Sequence, residues 1–279
     1  RAGHTLRGCN IAVTGNVPQG AGLSSSAALE VGVIRALAEL AQVSLATTDI
    51  AAIGQAAENN FVGCACGIMD QLICAAGRAD HALMIDCRSL ALTPIPLPRS
   101  LALLIVNSNV QRGLVDSAYN LRRQQCEAAA AHFGRSSLRE VSLEAFQRAR
   151  HKLDPLVARR AQHVLEENQR VLDAQAAFCR EDMAAISGLM AASHRSMRDL
   201  FEITTPEIDY LVQTIAAVVG DQGGVRMTGG GFGGSVVSVL PHGLVDEVVR
   251  AVSAGYEAMS GLQASIYHTR PVDGVSLLC

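Results

Sequence analysis

The stretch 18-PQGAGLSSSAALE-30 sets Gly20 and Gly22, with Gly15 just upstream, before three consecutive serines and an apolar run. Composition alone admits a Ser/Gly-rich linker or a loop shaped to hold an anion, and the flanking residues decide between them. Upstream, Asn10 to Pro18 (NIAVTGNVP) begins with strand-like alternation and ends at a proline. Downstream, Ala27, Val31, Ile34, Ala38 and Ala41 recur at spacings of three and four, which predicts a helix over Ser24 to Ala41. A strand, a glycine loop and a helix in succession present free N–H groups where the helix dipole favours negative charge. Gly20, Ala21 and Gly22 let a phosphate chain approach the backbone closely. The hydroxyls of Ser24, Ser25 and Ser26 can donate to phosphate or ligate Mg²⁺. An ordinary N-cap serine after a turn is the competing reading, and it stays open at this point.

With 279 residues, 49% of them hydrophobic, the chain can bury a sizeable core in one large domain or two. A formal net charge of -3 implies neither a basic face for nucleic acid nor an acidic tail. Lys152 is the only lysine among 23 basic residues, so phosphate contacts fall to arginine, backbone N–H groups, hydroxyls or a metal. A G-x-x-x-x-G-K-[ST] loop is thereby excluded at the serine stretch. The longest apolar runs, such as Leu101 to Val106, are too short to span a bilayer, and no secretory signal is visible, so no membrane partner is expected. The eight cysteines have one close pair, Cys64 and Cys66, and read as buried reduced thiols of a cytoplasmic protein.

Further along, a helix is expected from about Thr48 to Phe61, and strands over His81 to Cys87 and Leu101 to Asn109. LTPIPLPRS (Leu92 to Ser100) is too proline-rich to be helical and marks the division into domains 1–98 and 99–279. Helices follow over Asp116 to Phe133, Pro155 to Phe178 and Glu181 to Phe201, the last carrying a Met183, Met190, Met197 stripe that reads as core. Thr205-Pro206-Glu207 supplies an N-cap, an N1 proline and an acidic first turn to a helix through Val219. A strand at GVRM, a glycine run, a strand at SVVSVLP, a helix from Val245 to Met259 and a strand at ASIYHTR complete the chain. The class is α+β in two lobes, with antiparallel strands in the second.

The glycine run TGGGFGGS (Thr228 to Ser235) contains G-x-G-x-x-G at Gly229, Gly231 and Gly234, but a strand follows it where a dinucleotide fingerprint needs a helix. A flexible hairpin turn and close packing of backbone against a ligand or loop remain as readings. In CGIMDQL (Cys66 to Leu72), Asp70 lies among Ile68, Met69 and Leu72, as a general base or as a helix N-cap. Glu58, on the preceding helix, is a second acid within reach of a metal or a solvated helix residue. Two glycine loops, a run of hydroxyls and two acids, without a His/Cys cluster, fit an Mg-nucleotide enzyme and phosphoryl transfer.

Together these segments resemble the GHMP kinases, and among them the galactokinases. PQGAGLSSSAA is similar to the family's phosphate loop, P-x-G-x-G-L-x-S-S-A, and GGVRMTGGGFGGS to its C-terminal glycine motif. CGIMDQ, HALMIDCRSL and DSAYNLRRQQCE are similar to galactokinase stretches, and the order is kept from about Val13 to Val239. The resemblance implies a ribosomal protein S5 domain 2-like, truncated N-lobe and a ferredoxin-like C-lobe, with the site in the cleft between them. It also implies ATP phosphates on Pro18, Gly20, Ala21, Gly22, Leu23, Ser24, Ser25, Ser26 and Ala27, with Gly229, Gly230 and Gly231 closing over the nucleotide. Mg²⁺ would be held by Ser26, with Ser25 as a further candidate, and by Glu58. Asp70 would serve the C1 hydroxyl of galactose as base or orienting group, and Gly67 and Tyr119 would contact the sugar. The implied reaction is in-line attack of that hydroxyl on the γ-phosphoryl group of ATP, giving galactose 1-phosphate in a monomeric enzyme.

Mevalonate, homoserine and N-acetylgalactosamine kinases share both glycine loops. A non-catalytic sensor on the same fold is expected to have a damaged serine loop or to lack Asp70, and both are intact. The galactokinase opening motif, G-R-x-N-L-I-G-E-H-x-D-Y, is not found in this chain. The expectation is that a segment on the order of a hundred residues is absent. This chain alone is therefore expected to turn over poorly.

Overall fold

The structure, a computed structural model, describes residues 3, 5–6, 8–64, 66–110 and 115–278, the side chains of 115–117 excepted. These fall into two units, Arg1–Leu97 with Arg270–Cys279, and Pro98–Thr269.

In the first unit, Ala27, Val31 and Ala38 repeat along one face of α1 (Ser25–Leu40) and are buried. That face meets α2 (Thr47–Ala57) and α3 (Met69–Ala76) around Val31, Ile50, Ala51, Ile68, Leu72 and Ala75. α2 runs on as a π-helical turn, Glu58–Val62, which ends at the left-handed Gly63. β1 (His81–Ile85) and β2 (Leu92–Pro96) pair antiparallel, with Leu83 opposite Pro94. The proline-rich segment is thus partly a strand; a two-stranded sheet has only edges, where proline's missing N–H is tolerated. The strand expected over Asn10 to Pro18 is not formed. A ladder needs a partner, the described strands pair elsewhere, and Ile11, Val13 and Val17 stay exposed. Residues 270–279, placed by sequence in the second domain, join this unit: Val275 N–H donates to Cys74 O at 2.9 Å and Gly274 N–H to Gly77 O at 2.8 Å.

The second unit is built on the sheet β4-β5-β3-β6, every pair antiparallel: β3 (Leu101–Asn107), β4 (Gly224–Thr228), β5 (Ser235–Pro241) and β6 (Ser265–Thr269). Helices α4 (Val115–His132), α5 (Leu143–Ala149), α6 (Pro155–Cys179), α7 (Met183–Ser196) and α8 (Pro206–Val219) lie between β3 and β4 in the chain, and α9 (Val245–Ser260) between β5 and β6. This is the ferredoxin-like β-α-β-β-α-β connectivity, expanded at its first crossover. β3 alternates, with Ala102, Leu104 and Val106 buried in one cluster with Ile208, Leu211 and Ile215 of α8 and Val248 and Val252 of α9. As expected, Thr205 caps α8, its hydroxyl accepting from Ile208 N–H at 3.4 Å, with Pro206 at N1. Of the methionine stripe, Met197 is buried in this cluster, whereas Met190, against Gly224 of β4, and Met183 are only half-buried. α5, unannounced by the sequence, buries Phe146 in a smaller cluster with α4 and α6.

The described cysteines are free, as expected, but not fully buried: Cys9, Cys87 and Cys179 are exposed and Cys64, Cys66, Cys74 and Cys126 half-buried. Cys279 lies outside the described residues. Burial still pushes the Cys66, Cys74 and Cys126 thiols up to about 11, which keeps them protonated. Among the described residues no helix is long and apolar enough to cross a membrane.

Candidate active site

The serine loop is set by its backbone. Gly20, Gly22 and Ser24 have φ of 71°, 70° and 59°, whereas the intervening Ala21 and Leu23 do not take positive φ. Such alternation is the pattern from which anion-binding backbone nests are made, and glycine enters its left-handed positions without penalty. Ala21, 2% exposed, pins the loop, and Ala27 pins the helix that follows. Ser24 stands at the N-cap but is left-handed and makes no side-chain cap hydrogen bond; only its carbonyl accepts, from Ala28 N–H at 3.0 Å. That rules out the ordinary N-cap reading, for a capping serine is extended and its oxygen takes the N2 or N3 N–H. The first turn of α1, at Ser25, Ser26 and Ala27, is left uncapped beside two half-buried serines and the exposed Ser26.

One turn beyond Ser26 on α1, Glu30 meets two groups from other helices. Gln71 Nε2 donates to Glu30 Oε2 at 3.1 Å, and the Glu58 carboxyl lies close enough to act on that of Glu30. Burial, then Glu58, push the Glu30 carboxyl up to about 7, against the lowering effect of Gln71. Gly54 makes room for the cluster: a Cβ there would lie 3.1 Å from Gln71 Cγ and 3.4 Å from Glu30 Oε2. Glu58 Oε2 and Gln71 Oε1 are buried without a hydrogen-bond partner among the described residues. Glu58 is therefore no solvated helix residue, and its orphaned oxygen suits a cation. Glu30 and Gln71 went unnoticed in sequence, although Glu30 follows Ser26 by one helical turn and Gln71 follows Asp70 directly.

Asp70 lies in the first turn of α3, half-buried, where the helix dipole favours a carboxylate. It is not the N-cap; Ile68 occupies that position. The Asp70 carboxylate makes no hydrogen bond to another described residue. Gln55 Nε2 donates to Cys66 O at 3.2 Å, which ties α2 to the segment leading to Gly67 and Asp70. Gly67 is exposed, with no described residue beyond its chain neighbours within 4 Å of where a Cβ would sit.

Tyr119 and the run Gly229 to Gly234 belong to the second unit. The run joins β4 to β5, as a hairpin connection, and its backbone is tightly packed. A Cβ on Gly231 would fall 2.5 Å from Ile203 O, and one on Gly230 would fall 3.6 Å from Tyr119 Cδ2. Phe232 N–H donates to Ile203 O at 2.7 Å, and Ser108 N–H to Gly234 O at 2.8 Å. Close packing thus prevails over a flexible turn, and β5 after the run leaves no helix for a dinucleotide fingerprint.

A family model for the GHMP kinases N terminal domain matches residues 1–78, and one for the GHMP kinases C terminal domain matches residues 174–258. The galactokinase of Lactococcus lactis, solved in complex with galactose, superposes with a TM-score of 0.90 at 33% identity, over 95% of this chain and 69% of that one. Leishmania major mevalonate kinase, in complex with R-mevalonate, superposes at 0.60 with 19% identity over 91% of this chain and 67% of its own. Homoserine kinase from Cytophaga hutchinsonii does so at 0.60 with 16% identity over 93% and 69%. At those identities the last two speak to the fold alone, whereas the galactokinase match extends to sequence along nearly the whole chain. This chain belongs to the GHMP kinase family.

Proposed function

We propose that the chain is an ATP-dependent galactokinase-type phosphotransferase, acting on the C1 hydroxyl of galactose. The observation that carries it is the uncapped α1 terminus behind a loop of alternating φ, an anion cradle built from backbone. Its N–H groups and the hydroxyls of Ser24, Ser25 and Ser26 would bind the ATP phosphates, with Gly229, Gly230 and Gly231 on the nucleotide from the second unit. The orphaned Glu58 Oε2 and the exposed Ser26 hydroxyl fit Mg²⁺, which when bound would neutralise phosphate charge. Asp70, free of other hydrogen bonds among the described residues, would orient the C1 hydroxyl and take its proton as the oxygen attacks the γ-phosphoryl group. Gly67 and Tyr119 would contact the sugar.

Galactose is preferred over the other acceptors because the chain is 33% identical to a galactokinase over 95% of its length, against 19% and 16% for the mevalonate and homoserine kinases. Nucleotide binding tests the kinase reading most directly. In calorimetry with Mg·AMPPNP the chain should bind, and Ser26→Ala should weaken binding about tenfold, the loss of one charge-assisted contact. In an acceptor panel, however slow the turnover, ADP release should be greatest with galactose. Preference for mevalonate, homoserine or N-acetylgalactosamine would reassign the substrate, and binding of NAD but not AMPPNP would overturn the kinase reading.

A further inference from the structure

On α4, Tyr119 and Arg122 lie three residues apart and so share a face. The Tyr119 ring packs under Gly230. The Arg122 guanidinium lies 5.8 Å from the centroid of the Phe232 ring, a cation–π contact at the tip of the same loop. Arg122 also donates from Nε to Phe201 O at 2.6 Å and from Nη2 to Glu202 O at 3.0 Å. Those carbonyls close the π-helical turn Met197–Phe201, and the next residue, Ile203, offers the carbonyl that accepts from Phe232 N–H. One guanidinium thus holds both the loop's aromatic residue and the backbone on which the loop rests. Phe232 itself has φ 59°, a conformation a bulky side chain keeps only where its surroundings impose it.

Behind this contact lies Arg160 of α6, 1% exposed, which donates to Leu200 O, to Glu202 Oε2 at 2.6 Å and to Gln125 Oε1 at 3.3 Å. Arg159 pairs with the other Glu202 oxygen at 2.7 Å from the more exposed side. A buried guanidinium is tolerated only with its donors filled, and here they are spent on the residues that support the glycine loop.

We propose that Arg122 is a positioning residue for the nucleotide, seating the Gly229 to Gly234 loop through Phe232 and through the Phe201–Ile203 backbone. The inference rests on the kinase reading, in which that loop faces the nucleotide. Arg122→Met keeps the aliphatic stem and removes every donor, whereas Arg122→Lys keeps the charge without the two-carbonyl fork. Affinity for Mg·AMPPNP, measured by calorimetry beside the melting temperature, should fall about tenfold in Arg122→Met and by less in Arg122→Lys. Arg159→Met, which removes only the exposed partner of Glu202, should stay within about twofold of the parent chain. If Arg122→Met does not fold, Phe232→Leu breaks the same contact from the loop's side and should weaken nucleotide binding in the same direction. A lowered melting temperature with unchanged affinity in Arg122→Met, or in Phe232→Leu where that variant stands in, would overturn the proposal. A parent chain that binds no Mg·AMPPNP would instead sink the kinase reading, and this inference with it.

Discussion

The two glycine loops are held in opposite ways. Around Gly20 there is open space: beyond its chain neighbours no atom of the described residues comes within 4 Å of where its Cβ would be, and the loop is shaped by positive φ and by the buried Ala21 and Ala27. Around Gly231 there is no space at all, because Ile203 O fills the position a Cβ would need. The units that carry them differ in the same sense. In the sheet unit, Leu104, Met227, Val236, Leu240 and Ile215 are wholly buried in one cluster. The serine-loop unit has a smaller core about Val31, Ile50 and Leu72, and Leu40, Phe61 and Val62 are 56%, 92% and 65% exposed. An open groove of about 730 Å³ there is lined by Ile34, Leu37, Ile53 and Phe61. A loop on such a unit takes its geometry from its own backbone, whereas the second takes it from packing.

The largest expected effect lies in the serine-loop unit. Asp70→Asn should lower phosphoryl transfer by roughly 10²–10⁴-fold, the usual worth of a general base. Nucleotide affinity should not change, and an active Asp70→Asn would remove the proposed role. Next, Leu72→Ala and Leu104→Ala each delete a fully buried leucine, at a cost of about 2–5 kcal/mol. Hydrogen exchange should show the first loosening α1 to α3 while the sheet stays protected, and the second loosening the sheet. Uniform loss in both would erase the contrast between the units.

A smaller effect separates the glycines themselves. Gly20→Ala should cost about 1–2 kcal/mol for a side chain forced left-handed, with no clash. Gly231→Ala must also displace the loop from Ile203, so its loss of melting temperature and of nucleotide affinity should be greater. Equal effects would mean that packing does not distinguish the loops. Smallest is a pH effect. With the Glu30 carboxyl raised from 4.5 to about 7, the unfolded chain ionises first, so this group's stabilisation is complete below about pH 4.5 and is lost as pH climbs through 7. Glu30→Gln should flatten that part of the melting-temperature profile, and an unaltered slope would deny the coupling.

Much of the sheet unit was legible because its signals are local: the Thr205-Pro206 cap, the alternation of β3 and the stripe on α7 each declare an element within a few residues. α5 failed to declare itself, being only two turns long. The Asn10 to Pro18 strand was misread for a different reason, since alternation supplies a pattern but only a neighbouring strand supplies hydrogen bonds. In the candidate site, glycines and hydroxyls showed themselves by composition. The left-handed Ser24 did not, because serine seldom takes that conformation. Glu30, Gln71 and Arg122 were hidden too: Glu30 meets Gln71 across 41 positions, and Arg122 meets Phe201 across 79, distances over which no spacing rule operates.

The central claim, that the serine loop is a phosphate cradle, is tested most directly by following backbone amide resonances while Mg·AMPPNP is titrated into the labelled chain. The largest shifts are expected between Gly20 and Ala27, with smaller ones at Gly229 to Gly231. Saturation by the nucleotide with the Gly20 to Ala27 amides unmoved would contradict the claim.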